Sequence, residues 1–314
     1  MSADTQDRPH LVPYAGRVPS TQPPPDDRSH PGAPAPGGTD LGPFLKWPGG
    51  KRWLVDLHAN LFRHRFDRYI EPFLGAGSVY FHIKPQRAIL GDLNEDLMNA
   101  YRGIQQDYAT VQALLEKHHL SHCRVYYYQV RSQVPGSLTE RAARMIYLNR
   151  TCFNGIYRVN RHGEFNVPIG TRNRVVRDTD NFAGIAKLLS DAELRNSDFE
   201  PLVDEARAGD LVFLDPPYTV RHNTDGFIKY NEHLFSWDDQ ERLAKAATRA
   251  AERGARVIVT NASHPTVRLL YPRAHFRSLR VSRYSAISAT LGSRKHFEEL
   301  VFISKRRGNV HAAK

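Results

Sequence analysis

Residues 211–218 read LVFLDPPY, an unbroken apolar run that ends in a carboxylate, two prolines and a tyrosine. A half-exposed strand alternates apolar with polar residues, so an unbroken run is a strand covered on both faces. Such a strand needs a layer of helices on each side, which points to an α/β sheet. RYIEPF (68–73), RAILGD (87–92), ELRNSDF (193–199), ARVIVTN (255–261), HFRSLRV (275–281) and FEELVFIS (297–304) read as further strands. Apolar spacing predicts helices from Val79, across most of 95–133 and over 138–149. Another runs from Ser236, with Asp239 as a capping-box partner, to near Gly254, and one covers HPTVRLLY (264–271).

The helical segment of about 95–190 interrupts this alternation and implies a second lobe. Residues 1–41 carry PPP at 23–25 and GAPAPGG at 32–38. They hold too little apolar surface to offset the entropy of ordering, so a disordered tail is expected. No apolar run approaches the roughly 20 residues of a membrane helix. The start of the chain lacks the apolar stretch of a secretory signal, so a cytoplasmic protein is expected. The net charge of +11 suits a polyanion, above all a nucleic acid. Two cysteines, Cys123 and Cys152, exclude a disulfide framework and a Cys-rich zinc site. The scattered histidines show no ligand spacing, and no protein-bound metal is expected.

EPFLGAGSVYF (71–81) sets a Gly-x-Gly turn between a strand and a helix. Glycine allows the tight turn and a close approach to a ligand. Tyr80 stands where a dinucleotide fingerprint has its third glycine, which argues against NAD. Asp92, at the end of the next strand, can accept hydrogen bonds from ribose hydroxyls. Ahead of this unit, FLKWPGGK (44–51) has the makings of a clamp, with Lys51 for a carboxylate and Trp47 for a flat ring. In DPPY the prolines remove two backbone donors and leave carbonyl acceptors at the carboxyl end of a strand, where α/β sheets bind ligands. Asp215 and the Pro216 carbonyl can then accept both hydrogens of one amino group, with Tyr218 stacked on its ring. Adenine and cytosine both fit.

FLKWPGGK, EPFLGAGSVYF, GDLNEDL (91–97), DPPY and the FxxY of Phe227 to Tyr230 occur in this order. In them the chain resembles the Dam-like, alpha-class adenine-N6 DNA methyltransferases over roughly residues 43–305. TCFNGIYRVNRHGEFNVPIG (151–170) is similar to that family's DNA-contacting segment. The resemblance implies a Rossmann-like S-adenosylmethionine-dependent sheet, built from 42–95 and 190–308, with a mostly helical target-recognition lobe at 96–189. Asp215, Pro216, Pro217 and Tyr218 would form the catalytic motif. S-adenosylmethionine would lie against Phe73, Gly75, Ala76, Gly77 and Asp215, its methionine end near Lys51 and its ribose at Asp92. Trp47 and the Asp198-Phe199 pair would line its adenine.

Lys46, Phe153, Asn154, Ile156, Arg158 and Pro168 would surround the flipped base and read its neighbours in double-stranded DNA. A base in a duplex must be extruded to meet a methyl donor. Phe153 and Ile156 suit the gap it leaves, and Arg158 suits a bidentate contact to guanine. Arg150, Arg158, Arg161, Arg172, Arg174 and Arg177 are expected at phosphates. Asp215 favours adenine over the cytosine and glutamine enzymes, which more often carry SPPY and NPPY. An RNA substrate and a non-catalytic DNA-binding module are the other readings weighed. A GATC-type site, a nucleoid-associated monomer and an optional restriction endonuclease partner complete the expectation. TRNRVV (171–176) and the long tail depart from the family pattern.

Overall fold

The computed structural model describes residues 41–160, 162–219, 235–284 and 296–305, all within one compact unit. Most of the expected tail, Arg161 and the FxxY motif lie outside the described residues. Seven strands form one sheet: β1 (Tyr69–Glu71), β2 (Ala88–Asp92), β3 (Ala192–Asn196), β4 (Leu211–Leu214), β5 (Arg256–Ala262), β6 (Phe276–Tyr284) and β7 (His296–Ser304). Their order is β3-β2-β1-β4-β5-β7-β6. The first five are parallel, and β7 runs antiparallel to both β5 and β6.

Alternation sends successive strand side chains to opposite cores. Leu211 and Phe213 of β4, Tyr69 of β1 and Val301 of β7 face one; Val212, Leu214, Ile70 and Leu300 face the other. All four β4 side chains are buried, as the unbroken run requires. Each contributes about 1.5–3 kcal/mol by leaving water.

The first core is covered by α1 (Arg52–His58), α2 (Ser78–Ile83), α3 (Glu95–Ser121), α4 (Arg124–Ser132), α5 (Leu138–Thr151) and α6 (Phe182–Leu189). The second is covered by α7 (Phe199–Asp204), α8 (Trp237–Glu252) and α9 (Pro265–Leu270). The capping box at Ser236 and Asp239 is present in both directions. α3 is two helical segments joined at Asp107 (φ −155°, ψ 72°), whose carboxylate caps Thr110 N at 3.0 Å. α3 and α5 cross closely at Gly103, where a Cβ would lie 2.4 Å from that of Ala142. Buried residues of the helical segment and of the sheet belong to one continuous apolar cluster. Among the described residues, no helix is long and apolar enough to cross a membrane.

One boundary differs from the sequence reading. β3 stops at Asn196, and Asp198 accepts from Glu200 N at 2.9 Å, so the Asp-Phe pair opens α7 instead of ending a strand.

Candidate active site

β1 and β4 lie side by side, with the chain departing to opposite flanks of the sheet beyond them. A crevice opens at such a switch point, outside the carboxyl ends of the strands. Asp215 is the first residue past β4 and enters it. Oδ1 of Asp215 accepts from Thr260 Oγ1 at 2.6 Å and from Lys51 Nζ at 2.9 Å, with Tyr218 OH farther off at 3.4 Å. Among the described residues, neither Asp215 Oδ2 nor the Pro216 carbonyl has a hydrogen-bond partner. The Pro217 carbonyl is different, because Gln240 Nε2 donates to it at 3.1 Å and Asn261 in turn holds Gln240. This buried amide pair fixes the Pro-Pro turn. Thr219 Oγ1 donates to the Phe235 carbonyl at 2.6 Å.

Lys51 stands 4.9 Å from the centre of the Tyr218 ring and also donates to the Gly49 carbonyl at 2.9 Å. Tyr218 OH donates to Glu299 Oε2 at 2.6 Å, and that oxygen lies 3.7 Å from Lys51 Nζ. Burial and the charges of Asp215 and Glu299 push the Tyr218 phenol well above its ordinary range, so it stays a donor.

The Gly-rich turn is tied to the next strand. Asp92 accepts from Gly75 N and Asn94 N, each at 3.0 Å, while burial raises its carboxyl above the usual range. Gly75 has φ +48°, and a Cβ there would meet the Trp47 ring at 2.8 Å. Ala76 and Gly77 complete the turn, which leads into α2. Phe73 stacks on Phe199 at 5.5 Å, and Phe235 packs against both. Trp47 belongs to another stack, 5.4 Å from Tyr157, whose hydroxyl donates to Asp96. Asp198 is engaged by Arg242, whose guanidinium also covers Phe199.

The segment resembling a DNA reader folds back on itself, with bridges pairing Cys152 with Ile169 and Val159 with Phe165. Phe153 N donates to the Pro168 carbonyl at 2.9 Å, and Lys46 Nζ donates to the Asn154 carbonyl. Lys46, Phe153, Asn154 and Pro168 are thus brought together, with Phe153 55% and Ile156 44% exposed. Arg158 is exposed and donates to Asn166. Asn149, buried and unmarked by any motif, holds the Lys46 backbone through N–H at 2.9 Å and C=O at 2.8 Å.

A cavity of about 690 Å³ beside Lys46 gathers Arg52, Arg150, Arg172, Arg174 and Arg177. Arg150 is a correction. Its side chain has no exposure and is spent on Asp180 and on the carbonyls of Val175 and Phe44. It is a structural residue and not a phosphate contact. Thr260, Gln240 and Glu299 are the site residues that sequence reasoning missed. Glu299 alone left a signal, as an acid in a buried row with Val301 and Ile303. Among the described residues, no group of three or more His, Cys, Asp or Glu is placed to hold a metal.

A family model described as D12 class N6 adenine-specific DNA methyltransferase matches residues 47–287. A type II methyltransferase of Lactococcus lactis subsp. cremoris is 33% identical over 271 residues, covering 83% of this chain and 95% of the relative. A DNA adenine methylase of Escherichia coli is 33% identical over 270 residues, with the same coverage of 83% and 95%. A DNA N-6-adenine-methyltransferase of Escherichia phage P1 is 36% identical over 244 residues, 74% of this chain but 31% of that longer protein.

Proposed function

We propose that this chain, which belongs to the D12 class of N6 adenine-specific DNA methyltransferases, takes its methyl group from S-adenosylmethionine and acts at a GATC-type site, with Asp215 at the reacting nitrogen. The chain is an adenine DNA methyltransferase; donor, sequence and residue roles are our reading. The observation that carries it is the asymmetry of Asp215. One oxygen is fixed by Lys51 and Thr260, while among the described residues the other oxygen and the Pro216 carbonyl, one residue on, have no hydrogen-bond partner.

Two acceptors suit the two N6 hydrogens of adenine. Holding both favours a tetrahedral nitrogen and withdraws its lone pair from the ring, which otherwise makes N6 a poor nucleophile. Lys51 lies over one face of Tyr218, so adenine takes the opposite face. That stack is worth about 1–3 kcal/mol. Phe153 and Ile156 fill the space vacated by the base, Arg158 and Asn154 meet base edges, and Lys46 reaches a base at the site. On this reading 96–189 is the recognition lobe of a catalytic domain made from 42–95 and 190–308.

The groups around the crevice fit the donor. Gly75 presents bare backbone under Trp47, where any larger residue would collide, and Asp92 offers a carboxylate for ribose hydroxyls. Bound there, S-adenosylmethionine would supply an activated sulfonium methyl. The Phe73–Phe199 stack and Asp198 are the wall for its adenine. A monomer acting at the cytoplasmic nucleoid suits a single pocket and a DNA substrate. The type II relative supports a restriction endonuclease partner.

Labelled S-adenosylmethionine, unmethylated duplex DNA and mapping of the modified adenines test the reading, with Asp215→Ala as control. Methylation at GATC, abolished in the control, is expected. Transfer to another sequence would overturn the site assignment. Transfer that survives Asp215→Ala would overturn the residue assignment.

A further inference from the structure

Glu299 sits on β7, opposite Ala262 of β5 and Val281 of β6, with 3% of its surface exposed. Its neighbours in the same row, Val301 and Ile303, are core residues. A carboxylate in such a row is costly unless it is paired. Its short bond is with Tyr218 OH at 2.6 Å, against 3.4 Å from that hydroxyl to Asp215. We propose that Glu299 is a positioning residue for methyl transfer, fixing the Tyr218 ring through its phenol. The proposal rests on the reading of Asp215 and Tyr218 as the adenine pocket.

The geometry gives the reason. A tyrosine ring turns about two torsions; a hydrogen bond at its far end fixes the first and, because a phenol O–H prefers the ring plane, biases the second. The ring plane must suit a stacked base while the base's amino group meets Asp215. Drawing the phenol toward Glu299 also weakens its hold on the Asp215 carboxylate. Lys51 bridges the two carboxylates, at 2.9 Å from Asp215 and 3.7 Å from Glu299, so ring, cation and acceptor are tied together. The phenol, kept protonated by its surroundings, is a constant donor to this anchor.

The test is a double-mutant cycle on the full chain with duplex DNA: Glu299→Ala, Tyr218→Phe, the pair together, and Glu299→Gln. A misplacement of about 1 Å costs roughly 100-fold, so a 10- to 100-fold fall in kcat is expected for Glu299→Ala, with KM for DNA nearly unchanged. Tyr218→Phe falls similarly, and the double variant loses clearly less than the two single losses combined. Glu299→Gln, whose amide oxygen still accepts from the phenol, recovers most of the rate. Additive losses, a wild-type kcat in Glu299→Ala, or a Gln variant as poor as Ala would each overturn the proposal. Should Glu299→Ala fail to fold, a wild-type kcat in Tyr218→Phe overturns it as well. Failure of the underlying reading is distinct: there Asp215→Ala would keep its activity, whatever Glu299 does.

Discussion

Thr260 on β5 donates its hydroxyl to Asp215 Oδ1 at the end of the adjacent strand β4, at 2.6 Å, and has no exposure of its own. A threonine on a neighbouring strand therefore orients the carboxylate, whose second oxygen is the acceptor we propose for the substrate. A hydrogen bond to a charged group is worth about 1.5–3 kcal/mol, and 1.4 kcal/mol is tenfold in rate. Thr260→Val keeps the shape and removes the donor. Steady-state kinetics should show kcat lower by roughly 10- to 100-fold, with S-adenosylmethionine affinity unchanged.

The Phe153 side chain is exposed, and its hydrogen bond to Pro168 is made by the backbone, which a substitution keeps. Phe153→Ala should leave the melting temperature unchanged and weaken DNA binding by about 1–2 kcal/mol, roughly 5- to 30-fold, by loss of a stacking wedge. Fluorescence titration with duplex DNA measures this. Arg158→Ala should also spare stability, but should relax discrimination at one base by about 1–3 kcal/mol, read by kinetics on singly substituted sites.

Arg150 and Arg172 line the same cavity and should behave oppositely. Arg150→Met strands Asp180 and the carbonyls of Val175 and Phe44. Breaking a buried pair costs about 3–5 kcal/mol, so denaturant unfolding should shift strongly. Arg172 is exposed. Arg172→Ala should leave unfolding unchanged and reduce the slope of log K against log salt by about one phosphate contact.

His118 stacks on Tyr147 at 4.7 Å, bonds Tyr126 OH at 2.8 Å and has Lys117 beside it. His122 bonds the same Tyr147. Burial, with a smaller contribution from Lys117, pushes His118 from 6.5 down to about 4. The folded state thus binds fewer protons than the unfolded state between these values, and stability must rise with pH there. Acidification from pH 6.5 towards 4 should lower the melting temperature of the wild type more steeply than that of His118→Phe. Parallel curves would show that His118 is not responsible.

The sheet was legible because strand and helix periods differ and because an unbroken run such as LVFL cannot sit half in water. The break of α3 at Asp107 was not, since apolar spacing persists across it and only the φ/ψ of one residue changes. The end of β3 was misread because Asp198-Phe199 continues a pattern compatible with a strand, while a cap decides for a helix. Arg150 looked like its arginine neighbours. Only the approach of Asp180, thirty residues away, makes it structural.

The amino-acid sequence by itself determined the α/β class and which groups stand at the carboxyl end of β4, because those depend on local patterns: a buried strand, a glycine turn, a carboxylate before two prolines. Tertiary structure alone decided how that chemistry is held. Thr260, Gln240 and Glu299 come from β5, α8 and β7 and converge on Asp215, Pro217 and Tyr218 only when the strands pair. Their contacts span sequence separations of 45, 23 and 81 residues. Local spacing encodes which side chains share an element, whereas the fold sets which elements meet.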